Sequence, residues 1–107
     1  MAIVATGQRE LTFAGNDPQV ASEEKLNSNS ERIRLILTNT SSSGQVIRVG
    51  VGNEPSTSLG IPLYAGGSIE WNRDASLPIQ QKRVIATSPT ASATLAVYEE
   101  VINKGAI

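Results

Sequence analysis

Apolar and polar residues alternate one by one through most of this 107-residue chain, in short runs that end in clusters of Gly, Ser, Asn and Pro. Successive side chains of a strand point to opposite faces, so this period builds half-buried strands and is out of phase with a helix. From Arg32 to Asn39 it places Ile33, Leu35 and Leu37 on one face and Arg32, Arg34 and Thr38 on the other. The turn residues Thr40-Ser41-Ser42-Ser43-Gly44 follow, and Gln45 to Val51 then offers Ile47, Val49 and Val51 to one side, which predicts a hairpin. Leu59 to Leu63 alternates again, with Pro62 confining it to an edge or a bulge. Gly66-Gly67 turns the chain into Ser68 to Trp71, where Ile69 and Trp71 are in phase. After Arg73-Asp74-Ala75-Ser76 and Leu77-Pro78-Ile79, Lys82 to Thr87 sets Val84 and Ala86 inward, and Ala93 to Tyr98 does the same with Leu95 and Val97. Turn signals at this spacing predict an all-β chain, a small antiparallel β-sandwich; jelly-roll and immunoglobulin-like connections both fit.

The length suits one domain with tails. Residues 1–30 read as an extended N-terminal arm with one short strand, Gln8 to Phe13, interrupted by Gly15-Asn16-Asp17-Pro18. Asp17-Pro18 has the residues of a helix start, yet Asn27-Ser28-Asn29-Ser30 stops any helix early. The sandwich is expected over 31–101 and a flexible tail over 102–107. Met1 to Thr6 lacks the basic and long apolar regions of a signal peptide, and Leu35-Ile36-Leu37, the longest clear apolar run, falls far short of the ~20 residues of a membrane span. The expectation is a soluble chain folded in a cytoplasm.

Composition narrows function further. There is no cysteine and no histidine, which removes disulfides, thiolate and imidazole metal ligands and the usual proton carrier near neutral pH. The adjacent carboxylates Glu99-Glu100 and Glu23-Glu24 point to opposite faces of a strand and form no glycosidase dyad. Gly50-Val51-Gly52 lacks the helix and lysine of a phosphate loop. Neither an enzyme nor a cofactor, metal or small-molecule substrate is expected. With 9 basic and 10 acidic side chains and 4% aromatics, a nucleic-acid platform is not expected either, and no membrane partner is.

Ile36 and Ile85 lie on the polar sides of their strands, with Tyr98 close in pattern, and such residues together make an interface patch. With Arg32, Arg34 and Arg48 they form the candidate interface set. Trp71 reads as core in phase with Ile69; a second reading groups Tyr64, Trp71 and Asn72 as stacking and hydrogen-bonding residues of a strand-end loop that recognises a host surface glycan.

Leu26, then Asn27-Ser28-Asn29-Ser30-Glu31-Arg32, then Leu35-Ile36-Leu37-Thr38-Asn39-Thr40-Ser41 resembles the opening of small β-sandwich virion proteins of tailed phages. Gly60-Ile61-Pro62-Leu63-Tyr64-Ala65-Gly66-Gly67-Ser68-Ile69-Glu70-Trp71 is similar to that group's Gly-Ile-x-Leu-x-x-Gly-Gly-Ser hairpin, and Val84-Ile85-Ala86 with Ala93-Thr94-Leu95-Ala96-Val97 to its closing strands. The resemblance covers Leu26 to Glu99 and carries no catalytic motif. It implies a capsid decoration, or cement, protein: a symmetric oligomer, most often a homotrimer, that sits on the capsid surface of the virion and bridges major capsid protein subunits. Tail- and fibre-associated proteins share related patterns.

Overall fold

A computed structural model describes residues 3–15, 17–23, 30–42, 44–52, 60–72, 81–89 and 92–103. Eight strands run along it: β1 (Ile3–Thr12), β2 (Gln19–Ser22), β3 (Ser30–Asn39), β4 (Ile47–Val51), β5 (Ile61–Leu63), β6 (Ser68–Asn72), β7 (Val84–Thr87) and β8 (Thr94–Asn103). They form two antiparallel four-stranded sheets, the first in the order β1-β8-β3-β6 and the second β2-β7-β4-β5. The pairings nest, β1 with β8, β2 with β7, β3 with β6 and β4 with β5. An eight-stranded double sheet wound in this way is a jelly roll, so of the two connectivities open to the sequence this is the one adopted.

The nesting corrects two expected hairpins. β3 belongs to the first sheet and β4 to the second, so residues 40–46 cross between sheets instead of joining neighbours, and residues 64–67 do the same from β5 to β6. A tight two-residue turn would have kept the strands adjacent, whereas these longer connections span the roughly 10 Å between packed sheets.

The inward faces meet as the two-residue period requires. Leu35, Leu37, Trp71, Leu95 and Val97 of the first sheet pack with Ile47, Val49, Leu63, Val84 and Ala86 of the second, and Phe13, Ala21 and Ala93 join the same cluster. Leu35, Leu37 and Leu95 are wholly buried, each worth about 1.5–3 kcal/mol of transfer from water.

The N-terminal stretch is part of this sandwich and not an arm. β1 pairs with β8 from Ile3↔Asn103 to Thr12↔Thr94, and β2 pairs with β7. Phe13 and Ala21 are core residues, and β8 carries the sheet on to Asn103, past the expected limit at 101. Two edge strands, one per sheet, thus come from the part of the chain whose polar residues read as extended. Of the expected connections and tail, Leu77-Pro78-Ile79, the polar run 73–76 and residues 104–107 lie outside the described residues.

Two β-bulges break the period. In β3 the register passes from Arg34↔Glu100 to Arg32↔Val101, leaving Ile33 as the extra residue, and in β2 it passes from Val20↔Ile85 to Ser22↔Val84 around Ala21. A one-residue slip moves a side chain to the other face. Arg32, expected outside with Arg34, is therefore turned into the sandwich and fully buried, and Ser22 is buried with it.

Leu37→Ala is expected to lower the unfolding free energy by about 2–5 kcal/mol in urea titrations, as for other fully buried leucines. Removing residues 1–12 exposes the ladder of β8, and that variant is expected to lose its cooperative thermal transition by circular dichroism.

Candidate functional site

The outward face of the first sheet is assembled by cross-strand register. Gln8, Tyr98, Ile36 and Glu70 form one row across β1, β8, β3 and β6. Glu10, Ala96, Thr38 and Ser68 form the row beside it, and Arg34 stands between Glu100 and Asn72 in the row on the other side. Between these rows lies an open depression of about 430 Å³ whose walls include Gln8, Ile36, Thr38, Ala96 and Tyr98. Ile36, Ala96 and Tyr98 give it apolar surface beside the polar Gln8 and Thr38, and the charged Arg34, Glu70 and Glu100 stand next to it on the same face, a mixture found at protein contact surfaces.

These charges hold one another. Arg34 Nε donates to Glu70 Oε2 at 2.9 Å, and its Nη1 lies 3.8 Å from Glu100 Oε2. The Glu70 bond, with both carboxylates nearby, holds the Arg34 guanidinium above its ordinary pKa. Tyr98 donates its hydroxyl to Glu100 Oε2 at 2.5 Å; that bond first, then burial and the carboxylate charge, raise the phenol above its usual value. Thr38 and Ser68 share a hydroxyl hydrogen bond of 2.8 Å at the other side of the depression. The result is a face whose side chains are already oriented.

Three of the six expected interface residues, Arg34, Ile36 and Tyr98, converge here. The other three do not. Ile85 is 2% exposed on β7 in the second sheet, so it presents no patch, and Arg48 lies half-buried on β4 beside Thr87 in that same sheet. Arg32 donates from Nε to Ser22 Oγ at 2.9 Å, from Nη1 to the Lys82 carbonyl at 3.1 Å and from Nη2 to the Glu23 carbonyl. Ser22 in turn donates to Glu99 Oε2 at 2.6 Å, and that oxygen is 3.7 Å from Arg32 Nε. Burial pushes the guanidinium pKa down, against the pull of Glu99. This is a clasp between the sheets, closed further by Gln81, which accepts from the Arg32 backbone nitrogen and donates to its carbonyl, both at 2.8 Å.

The glycan trio is also dispersed. Trp71 is 7% exposed and packs in the core, as its phase with Ile69 implied, while Asn72 sits on the first sheet's outward face at the end of β6 remote from the turn that carries Tyr64. Tyr64 alone is open, at 64%. It borders a second depression of about 430 Å³ between Ser41 and residues 44–46 on one side and residues 64–66 on the other. Asn39 organises this end: fully buried, it donates through Nδ2 to the carbonyls of Leu63 (2.8 Å) and Gln45 (2.9 Å) and accepts the Ser41 amide on Oδ1 at 2.9 Å.

Sequence reasoning missed Glu70, Glu100, Thr38 and Gln8 as neighbours of Ile36 and Tyr98, because register across strands brings them together and no local spacing records it. The alternation did carry one signal: Glu99 and Glu100 point to opposite faces, one into the Arg32 clasp and one to Arg34.

The class that this architecture defines is the eight-stranded jelly roll. No protein-family model matches the chain, and no curated protein matches it. Among solved structures, one from "Bacillus endospore appendages", described as disulfide-linked pili, aligns with a TM-score of 0.66 at 10% identity over 96% of this chain and 88% of its own. The coat protein of Tobacco streak virus aligns with a TM-score of 0.53 at 17% identity, over 96% of this chain and 85% of that one. A structure of that coat protein's dimer gives the same score and identity over 99% and 88%. The chain is thus similar in fold to subunits of a virus coat and of a pilus. The cysteine-free sequence has no counterpart of the pilus disulfides.

Glu100→Ala is expected to lower the pKa of Tyr98, because the phenol loses its acceptor and keeps Arg34 nearby; NMR titration of the Tyr98 ring measures it, and an unchanged value would show that Glu100 does not hold the proton. Arg32→Ala is expected to cost about 3–5 kcal/mol of stability, since it empties the space of a fully buried side chain and removes the cation facing Glu99 together with the donor of the Ser22, Lys82 and Glu23 bonds, and Arg32→Lys is expected to recover only part.

Proposed function

We propose that this chain is a structural virion protein, a capsid decoration or cement protein that binds the outside of an assembled phage head and bridges its major capsid protein subunits. The observation that carries the reading is the outward face of the first sheet: apolar surface of Ile36, Ala96 and Tyr98 beside a group of charges, Arg34, Glu70 and Glu100, oriented by hydrogen bonds and ion pairs on the same face. Such a face loses little side-chain freedom when a partner covers it. The jelly roll shared with a virus coat protein supports the same reading, as does the sequence resemblance to small virion proteins of tailed phages.

On this proposal the protein acts as a homotrimer on the capsid surface, assembled in the host cytoplasm, and takes no cofactor, nucleic acid, membrane or small-molecule substrate. Each subunit's contact with the shell is modest, and simultaneous contacts multiply the effective affinity. Formal net charge of -1 limits repulsion between closely spaced copies.

Quantitative mass spectrometry of purified virions tests this: a copy number commensurate with the shell's local symmetry axes is expected, and absence from the particle overturns the proposal. Ile36→Lys replaces the apolar centre of the face with a longer, charged side chain. It is expected to weaken shell binding at least about tenfold while leaving the thermal transition in place. Undiminished binding would remove this face from the proposal.

A further inference from the structure

The jelly-roll winding gathers the connections 13–18, 40–46, 64–67 and 88–93 at one end of the sandwich. Asp17 is the one charged residue in these four stretches, in a chain with nineteen charged side chains (9 + 10). It lies between β1 and β2, which are edge strands on one side of the two sheets, whereas Tyr64 lies between β5 and β6, the edge strands on the opposite side. Among the described residues no charged side chain lines the depression beside Tyr64: Ser41, Gln45 and the backbone of Gly44 and Gly66 supply hydroxyl, amide and peptide groups, and Val46, Ala65 and the Tyr64 ring supply apolar surface.

Hydrogen bonds tie the backbone of this corner together. The Gly67 amide donates to the Tyr64 carbonyl at 2.8 Å, Gly66 has the positive φ of 82° that the turn demands, and a Cβ on Gly67 would stand 3.0 Å from that carbonyl. On the other wall the Ser42 amide donates to Gln45 Oε1 at 3.1 Å, and the two walls are joined through Asn39. An aromatic ring that is 64% exposed is thus carried on a hydrogen-bonded turn beside neutral hydrogen-bonding groups.

We propose that this corner is a binding site for a neutral saccharide, with Tyr64 as the stacking platform. A pyranose has one face of C–H bonds, whose partial positive charge suits the negative face of an aromatic ring, and a perimeter of hydroxyls that needs neutral donors and acceptors. An anionic ligand would find no cation in this lining, and a purely apolar one would desolvate the surrounding amides without replacing their hydrogen bonds. The pre-set turn lowers the ordering cost, which matters for a ligand that makes few contacts. The site is independent of the sheet face assigned to shell binding and stands or falls apart from it.

The test is NMR titration of the full chain with the methyl pyranosides of glucose, galactose, mannose and N-acetylglucosamine, and with methyl glucuronide as the anionic control, each to roughly 50 mM, enough to register millimolar affinity. Saturable shifts centred on the amides of Gln45, Tyr64, Ala65 and Gly66 are expected for at least one neutral sugar. Tyr64→Phe keeps the ring and is expected to bind within about twofold; Tyr64→Ala, with an otherwise unchanged spectrum, is expected to bind at least about tenfold more weakly. No saturable shift with any neutral sugar, shifts centred elsewhere, tighter binding of the glucuronide, or equal binding by Tyr64→Ala overturns the proposal. Loss of shell binding in Tyr64→Ala without any sugar response assigns the corner to a protein contact and equally overturns it.

Discussion

β8 is hydrogen-bonded on both sides, to β1 from Thr94 to Asn103 and to β3 from Leu95 to Asn103. A strand in that position has no free ladder and must alternate cleanly between the core and the outside. Leu95 and Val97 accordingly fill the interior while Ala96 and Tyr98 are delivered to the middle of the outward face. Everything described on that face is measured from β8: Ile36 is set against Tyr98, and Arg34 against Glu100, by its register with β3. The same nesting then sends four of the crossings between sheets, those after β1, β3, β5 and β7, to one end, so surface and loop corner have a common cause in one pairing scheme.

Against that regularity, the two bulges act as switches of facing. Ile33 and Ala21 each add one residue to a strand, and the consequence is that an arginine and a serine enter the space between the sheets and meet Glu99 there. Ion pairs taken out of water repay their desolvation only when nearly every donor and acceptor finds a partner. Arg32 meets that demand with two backbone carbonyls, a hydroxyl and a carboxylate. Arg34, two positions on in sequence, spends the same kind of side chain on the solvent side, orienting Glu70 and Glu100. Edge strands receive similar treatment: Arg9 of β1 donates to the carbonyls of Val20 and Ala21 in β2, which occupies polar groups at the open side of the sandwich.

The periodicity made the interior legible. Leu35, Leu37, Ile47, Val49, Val84, Ala86, Leu95 and Val97 all face inward as alternation requires, and Trp71 follows Ile69. What alternation does not carry is which strand lies beside which. Turn residues show that the chain reverses; they do not show that residues 40–46 cross to the opposite sheet, and they made Ile3–Thr12 look detachable although its partner is the last strand. The candidate surface was half visible for the same reason. Ile36 and Tyr98 break the pattern within their own strands and could be picked out singly, but Arg32 was set on the wrong side by a bulge with no local signature, and Ile85 is buried in spite of its phase.

Pairing Ile3 with Asn103 also has a kinetic side. Closing the first strand onto the last demands that nearly the whole chain be loop before the contact rewards it, the costliest kind of closure in configurational entropy. Domains dominated by such distant pairings fold on the slow side, in roughly milliseconds to seconds. During translation β3 has its neighbour β6 long before β8 leaves the ribosome, and until then its other ladder is open to any passing strand. The topology that pairs β3 on both sides in the finished sandwich therefore makes its nascent form sticky, and the charges on the edge strand β1 and the bulge in the edge strand β2 serve the unfinished protein as much as the finished one.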